Sequence, residues 1–300
     1  MRGKYLKGVG LILAIVIAVL ALAVVVRFFE HHDIAVLQPK GTIGHKERNL
    51  MLLAVGLCAI VVIPVFTLTI LIARRYREGN KKNDDYNPDW DGDRRLELTW
   101  WGIPLAIITI LAVVTWFSSY SLDPYRALAS TQKTMNIQVI AMDWKWLFIY
   151  PDQNIATVNY VRFPVNTPVD FSITSDSVMN SFWIPNLGGQ IYAMPGMATH
   201  LHLMADKTGS YPGSSANISG RGFADMRFVA TASDQTSFDS WLRSVKTSTQ
   251  GLNAVTYDKL SQPSTSPVAY YSRAQSGLFN AVISNYMIPA SLHGGMEEMH

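Results

Sequence analysis

Three long apolar runs fill the first part of the chain, and the hydrophobic pattern then changes its period. Val9–Val26, Met51–Ala73 and Leu98–Tyr120 carry few polar side chains. As a helix, Met51–Ala73 would extend about 34 Å, enough to cross a hydrocarbon core of about 30 Å. Pro64 lies inside this run and is expected to bend it. The third run opens on Trp100 and Trp101 and closes on Trp116, Phe117 and Tyr120, the aromatic belts expected at two membrane faces. From about Thr134 apolar and polar residues alternate. Met135, Ile137 and Val139 alternate with Asn136 and Gln138; Val169, Phe171 and Ile173 with Asp170, Ser172 and Thr174; Leu201 and Leu203 with His200 and His202. This period of two is broken by Pro151, Pro164, Pro168, Gly188-Gly189, Pro195-Gly196 and Pro212-Gly213, which predicts an antiparallel β-sandwich. After Ala230 the period lengthens. Phe238, Trp241, Leu242 and Val245 share one helix face, and Leu278, Phe279, Val282, Ile283, Tyr286 and Met287 mark a second helix beyond a loop at Ser261–Pro267.

Charge orients these elements. The connector Arg74–Glu97 holds Arg74, Arg75, Arg77, Lys81, Lys82, Arg94 and Arg95. Its acidic residues are about as numerous, but they weigh little in topology, so this loop is expected in the cytoplasm. The second and third runs then form a hairpin, and everything after Tyr120 faces outward. The first run follows Arg2, Lys4 and Lys7, the layout of a signal sequence or of an uncleaved signal anchor. Ala21-Leu22-Ala23 offers a cleavage pattern inside the run, whereas Arg27 directly after it suits a retained anchor; both readings stay open. No lipobox cysteine is present. An apolar share of 49% against 16% charged fits a mixed membrane and soluble protein. A net charge of +3, with basic residues beside apolar runs, leaves no nucleic-acid footprint. The single cysteine, Cys58, sits in an apolar run and is expected to pack as a small apolar residue.

The candidate chemistry lies in Ser215–Met226, S-A-N-I-S-G-R-G-F-A-D-M. Its spacing is that of the ligand loop of a dinuclear copper (CuA) centre, C-x-E-x-C-x-x-x-H-x-x-M, which has a further histidine upstream. Here those slots hold Ser215, Asn217, Ser219, Phe223 and Met226, and the upstream slot holds Asn180. Thiolates and imidazoles bind copper; hydroxyls, amides and a phenyl ring do not at useful affinity. Met226 alone is a core methionine by default. The positions are therefore expected to bind no metal.

A helical hairpin, a β-sandwich and this emptied loop together resemble subunit II of the haem–copper respiratory oxidases. Met142-Asp143-Trp144-Lys145-Trp146-Leu147-Phe148-Ile149-Tyr150 is similar to the aromatic W-x-W strand of that family, and Ser177–Met197 to its cytochrome bo-type ubiquinol oxidase branch. Tyr211-Pro212-Gly213 and, before the hairpin, Pro39-Lys40-Gly41 also match in order and spacing. Many bo-type subunits II begin with a lipoprotein signal and an acylated cysteine, which this chain lacks.

The resemblance implies a fold: a membrane α-helical hairpin with an amino-terminal signal or anchor helix, an exported cupredoxin-like antiparallel β-sandwich and carboxy-terminal helices. The expected segments are 1–29, the hairpin 51–120 with its loop 74–97, the cupredoxin-like domain 125–232 and a helical arm and tail 233–300. It also implies a non-redox subunit of a proton-pumping ubiquinol oxidase in a bacterial inner membrane. Its partners would be subunit I, smaller oxidase subunits and lipid, without cytochrome c or nucleic acid. This chain would bind no cofactor; haems and a copper ion would lie in subunit I, and ubiquinol would be the substrate of the complex. Glu97, at the cytoplasmic start of the second hairpin helix, corresponds to the family glutamate at the entrance of a proton path. A helix dipole equally favours a carboxylate there. Trp144 and Trp146 are expected on one strand face, packed either in the core or as contacts with subunit I. His31-His32 and the tail residues His293, Met296, Met299 and His300 lack fixed ligand spacing. A CuA-binding subunit or a cupredoxin carrier would need cysteines and histidines that are missing. A membrane-anchored adaptor domain is the remaining alternative.

Overall fold

The computed structural model describes Arg27, residues 34–77 and residues 92–287. The signal or anchor run, the histidine pair 31–32, most of the hairpin loop and the tail 288–300 lie outside the described residues.

Helix α1, Thr42–Arg75, and helix α2, Arg94–Ser121, are both long and apolar enough to cross a membrane. α2 is started by Asp93, whose carboxylate accepts from the backbone N–H groups of Arg95 (2.8 Å) and Leu96 (3.3 Å), two donors that the helix itself leaves unpaired. α1 ends on Arg74 and Arg75, cations placed where the helix dipole is negative. Its 34 residues make a rod of about 51 Å, well beyond a hydrocarbon core of about 30 Å. The excess lies at its start, nine residues before the apolar run begins, and it is built into the β-domain. Ile43 and Gly44 are buried there, and a Cβ on Gly41 would stand 2.7 Å from the Leu187 carbonyl oxygen, so only glycine lets the chains approach.

The β-domain is a sandwich. One sheet has six strands in the order β11-β3-β2-β1-β5-β8, and the other five in the order β4-β10-β9-β6-β7. In chain order the strands are β1 Met135–Met142, β2 Lys145–Tyr150, β3 Ile155–Val158, β4 Tyr160–Pro164, β5 Val169–Ser175, β6 Asn180–Trp183, β7 Gln190–Ala193, β8 Thr199–Leu203, β9 Gly209–Ser215, β10 Arg227–Ser233 and β11 Ala269–Tyr271. Most pairs are antiparallel, but β1 with β5 and β4 with β10 run parallel. Alternation places Ile137, Val139, Phe171, Ile173, Leu201 and Leu203 inside, between the sheets. Aromatic rings fill the centre. Phe182 stacks on Phe228 at 5.1 Å and meets Trp146 edge-on at 5.4 Å.

β2 does not alternate, because both of its faces are buried. Trp146 and Phe148 point into the sandwich, while Leu147 and Ile149 join a second core on the outer face of the six-stranded sheet. That core is closed by the carboxy-terminal arm. Helix α3, Gln235–Lys246, first caps the inner core with Phe238, Trp241 and Val245. Helix α4, Ala254–Ser261, strand β11 and helix α5, Leu278–Met287, then lay Tyr257, Tyr271, Leu278, Phe279 and Val282 over β1, β2 and β3. The expected helices correspond to α3 and α5. α4 and β11 were not foreseen.

Both membrane helices are mounted on one strand. Gly41, just before α1, bridges Ala205, just after β8. His45 Nε2 lies 2.7 Å from Asp206 Oδ2. On the same strand the His202 backbone N–H (3.2 Å) and Nδ1–H (3.0 Å) both donate to the carbonyl oxygen of Pro124, which follows α2. His200 Nδ1 lies 3.0 Å from Asp170 Oδ1.

Candidate functional site

The six slots singled out in the sequence are brought together by three elements: the start of β6, the end of β9 and the segment from Ala216 to the start of β10. β6 and β9 pair antiparallel at Phe182 with Ser215, which places Asn180 and Ser215 side by side. Asn180 is fully buried, and its Oδ1 accepts from Ser215 Oγ at 3.2 Å. Its Nδ2 donates to the Val178 carbonyl oxygen at 3.0 Å. Ser215 Oγ also reaches the Asn217 carbonyl oxygen at 3.1 Å, so its one proton is shared between two acceptors. Asn217 Nδ2 donates to the Met179 carbonyl oxygen at 2.9 Å, tying the loop to the β6 side. Ser219 is buried, and its hydroxyl faces Met226 Sδ at 3.9 Å; Met226 itself is fully buried in the inner core. Phe223 is half-buried at the head of a 3-10 turn, Phe223–Asp225.

Five of the six slots therefore hold groups engaged with one another or with the neighbouring Val178 and Met179 carbonyls, so the polar side chains of the loop have partners, as buried polar groups require. The donor set is wrong for copper in kind: amide, hydroxyl and one thioether, with neither thiolate nor imidazole. Among the described residues no cluster of three His, Cys, Asp or Glu side chains is arranged to hold a metal.

Trp144 lies over this loop. It occupies the tight turn between β1 and β2 at a φ of 66°, outside either strand. Its Nε1–H donates to the Ser219 carbonyl oxygen at 3.4 Å, and its ring covers Gly220 and Gly222. Trp146 takes the core alternative and does not share a face with Trp144. It is 0% exposed, with its ring against Phe182 and Phe228. The positive φ at Trp144 reorients the chain between the two indoles, and period-two reasoning could not anticipate that. Around the loop Val178, Met179 and Ile218 are exposed, Ile218 at 80%.

Glu97 sits far away in sequence and setting, exposed in the first turn of α2. Sequence reasoning also missed Lys145. Its ammonium is fully buried and donates to the carbonyl oxygens of Leu260 (2.8 Å) and Gln262 (2.7 Å) and to Ser264 Oγ (2.9 Å), pinning the arm. A lysine inside the apolar run W-K-W-L-F-I-Y was the available signal, since lysine is almost never buried unless paired.

Geometry and chemistry thus define a class: a cupredoxin-like domain carried on two helices able to cross a membrane, with its Ser215–Met226 loop closed by hydrogen bonds. Residues 108–233 match the family Cytochrome C oxidase subunit II, periplasmic domain, and residues 246–290 the COX Aromatic Rich Motif. Among curated relatives, the chain is 51% identical over 251 residues to cytochrome bo(3) ubiquinol oxidase subunit 2 of Pseudomonas putida, covering 83% of this chain and 80% of the relative. It is 48% identical to ubiquinol oxidase subunit 2 of Acetobacter aceti over 85% of this chain and 83% of the relative. The chain belongs to the ubiquinol oxidase subunit 2 family.

Proposed function

We propose that this chain is the non-redox subunit II of a proton-pumping terminal oxidase that passes electrons from ubiquinol to oxygen. The observation that carries the reading is the closed loop: Asn180, Ser215, Asn217 and Ser219 offer amides and hydroxyls engaged with one another, with the Val178 and Met179 carbonyls and with Met226, and no thiolate or imidazole through which a copper-borne electron could enter. A quinol dissolved in the bilayer does not need that entry, whereas a soluble protein donor docking on the outer face would. The reading places the β-domain on the outer face of a bacterial inner membrane and the 74–97 loop in the cytoplasm. Haems and a copper ion belong to the partner subunit I, with α1 and α2 packed on it, and Trp144 and the exposed Ile218 rim lie on the face that caps it. Glu97 stands at the inner end of α2, where a carboxylate can relay protons toward that partner.

The test is respiration by the complex purified through a tag on this chain in mild detergent. Haem should co-purify, and oxygen uptake should be driven by ubiquinol and not by reduced cytochrome c. Uptake driven by cytochrome c would overturn the donor assignment, and a haem-free, inactive preparation would overturn the oxidase assignment.

A further inference from the structure

The first turns of α1 carry two opposite charges that no partner in the fold neutralises. Ile43 and Gly44 are buried in the β-domain, so Glu47, four and three residues further on, stands on the helix face turned toward the sandwich. Its Oε1 accepts from the Gly189 backbone N–H at 3.0 Å, a bond that a neutral glutamine would make equally well. The Arg48 guanidinium meets the Asn49 side-chain oxygen, through Nη2 at 3.1 Å and Nε at 3.4 Å. Both residues are half-buried, yet neither is in an ion pair among the described residues. Charges withdrawn from water are costly unless paired. Both line one cavity of about 420 Å³, together with Pro39, Trp183, Pro185 and Gln190. The Trp183 ring is fixed there by its Nε1–H, which donates to the Gly188 carbonyl oxygen at 3.2 Å.

The helix sets the level of this cavity. Glu47 and Arg48 precede Met51, where the apolar run opens, by four and three residues, or about 6 and 4.5 Å of helix rise. The polar layer flanking a hydrocarbon core is about 5–7 Å deep on each side. With the run in the bilayer, the cavity therefore stands among the headgroups. We propose that it seats the headgroup of a phospholipid carrying both a phosphate and a primary ammonium, of the phosphatidylethanolamine type. The ammonium donates to the Glu47 carboxylate, whose Oε2 accepts from no described group. The phosphate takes the fork of Arg48. Trp183 and Pro185 pack against the two-carbon link, and the acyl chains run down beside α1. A headgroup with phosphate alone would be repelled by Glu47, and a quaternary choline has no N–H to donate to it. The seated lipid bridges α1 to β6 and β7 and ties the β-domain to the bilayer surface. This inference rests on α1 crossing the membrane, as the oxidase reading has it, and not on the identity of the electron donor.

The complex purified through a tag on this chain is stripped of lipid in detergent. It is then titrated with dioleoyl-phosphatidylethanolamine, -phosphatidylcholine or -phosphatidylglycerol and read by native mass spectrometry. One ethanolamine lipid should be held about tenfold or more tighter than either of the others, the worth of a charge-assisted hydrogen bond. Glu47→Gln, which keeps the Gly189 bond, should erase the advantage of ethanolamine over choline. Arg48→Gln should weaken all three lipids through their shared phosphate. Should Glu47→Gln fail to assemble, Arg48→Gln decides, because its side chain is bonded only to Asn49. Equal retention of the three lipids, or retention unchanged in the informative variant, would overturn the proposal. So would competition by free O-phosphoethanolamine at the lipid's own concentration, which would make the ligand a soluble one. Haem content and ubiquinol-driven respiration of the same preparation report separately on the oxidase reading, and resistance to alkaline carbonate extraction on α1 as a span.

Discussion

Gly222→Ala is the sharpest probe of the closed loop, because the whole of its cost should come from one contact. A Cβ at Gly222 would lie 2.3 Å from Trp144 Cδ2, 2.5 Å from Cγ and 2.6 Å from Cε3. Carbon atoms settle at about 3.5–4.0 Å, so the indole must retreat by about an ångström or more. The backbone adds little, since Gly222 sits at φ −95° and ψ 9°, which alanine can adopt. Overpacking of this size costs about 1–3 kcal/mol. Gly220 is the internal contrast. There a Cβ would clear Trp144 by 3.6 Å, but φ is 115°, so alanine would be penalised through the backbone. Chemical denaturation of the chain in detergent, followed by the β-sheet circular dichroism signal, measures both. In a double-mutant cycle Trp144→Ala should recover most of the Gly222→Ala loss, with a coupling of about 1 kcal/mol or more, and none of the Gly220→Ala loss. Additivity of Gly222→Ala and Trp144→Ala within about 0.5 kcal/mol would show that the indole does not cover the loop as described.

Three further outcomes are expected. Phe182→Ala, which removes a ring packed against Trp146, Phe148, Phe171 and Phe228, should cost about 3–5 kcal/mol in the same denaturation assay. Tyr150 is buried, donates to the Arg162 carbonyl oxygen and accepts from the Arg162 N–H, and burial holds its phenol proton far above the usual range. Its stabilising contribution is complete below about pH 10, where the unfolded phenol titrates, and falls as pH rises further; Tyr150→Phe should flatten that alkaline loss in denaturation midpoints between pH 8 and 11. Glu97→Ala should slow ubiquinol-driven turnover in a fully assembled complex, and unchanged turnover at full haem content would remove Glu97 from the proton path.

Elements whose pattern is local were legible in the sequence. The hairpin follows from hydropathy, the inner strands from period two, and α3 and α5 from one-sided apolar faces. The start of α1 was hidden because Thr42–Leu50 mixes Gly44, His45, Lys46, Glu47 and Arg48, and its helicity is supported by the β-domain rather than by an apolar face. α4, with eight residues, and β11, with three, are too short to show a period. The residue types in the six slots could be read one by one. Their hydrogen-bonded closure could not, because Asn180 and Ser215 meet only once β6 and β9 pair. Trp146 and Lys145 stand on either side of the same limit: whether a side chain is enclosed depends on which elements later cover its strand.

The shared mounting of α1 and α2 on the β8 edge makes the β-domain a gauge for the helix pair. Between the two helices runs a cleft lined by Leu53, Ala54, Leu111 and Thr115, and their spacing is held at the end nearest the β-domain by Gly41 on Ala205 and Pro124 on His202. A chain whose sandwich has not closed has no strand on which to seat either helix, and the pair loses the two ties that set its separation. Any surface that grips the pair thereby inspects the fold of a domain it need not touch, and a defect deep in the aromatic core is felt as a hairpin that does not fit.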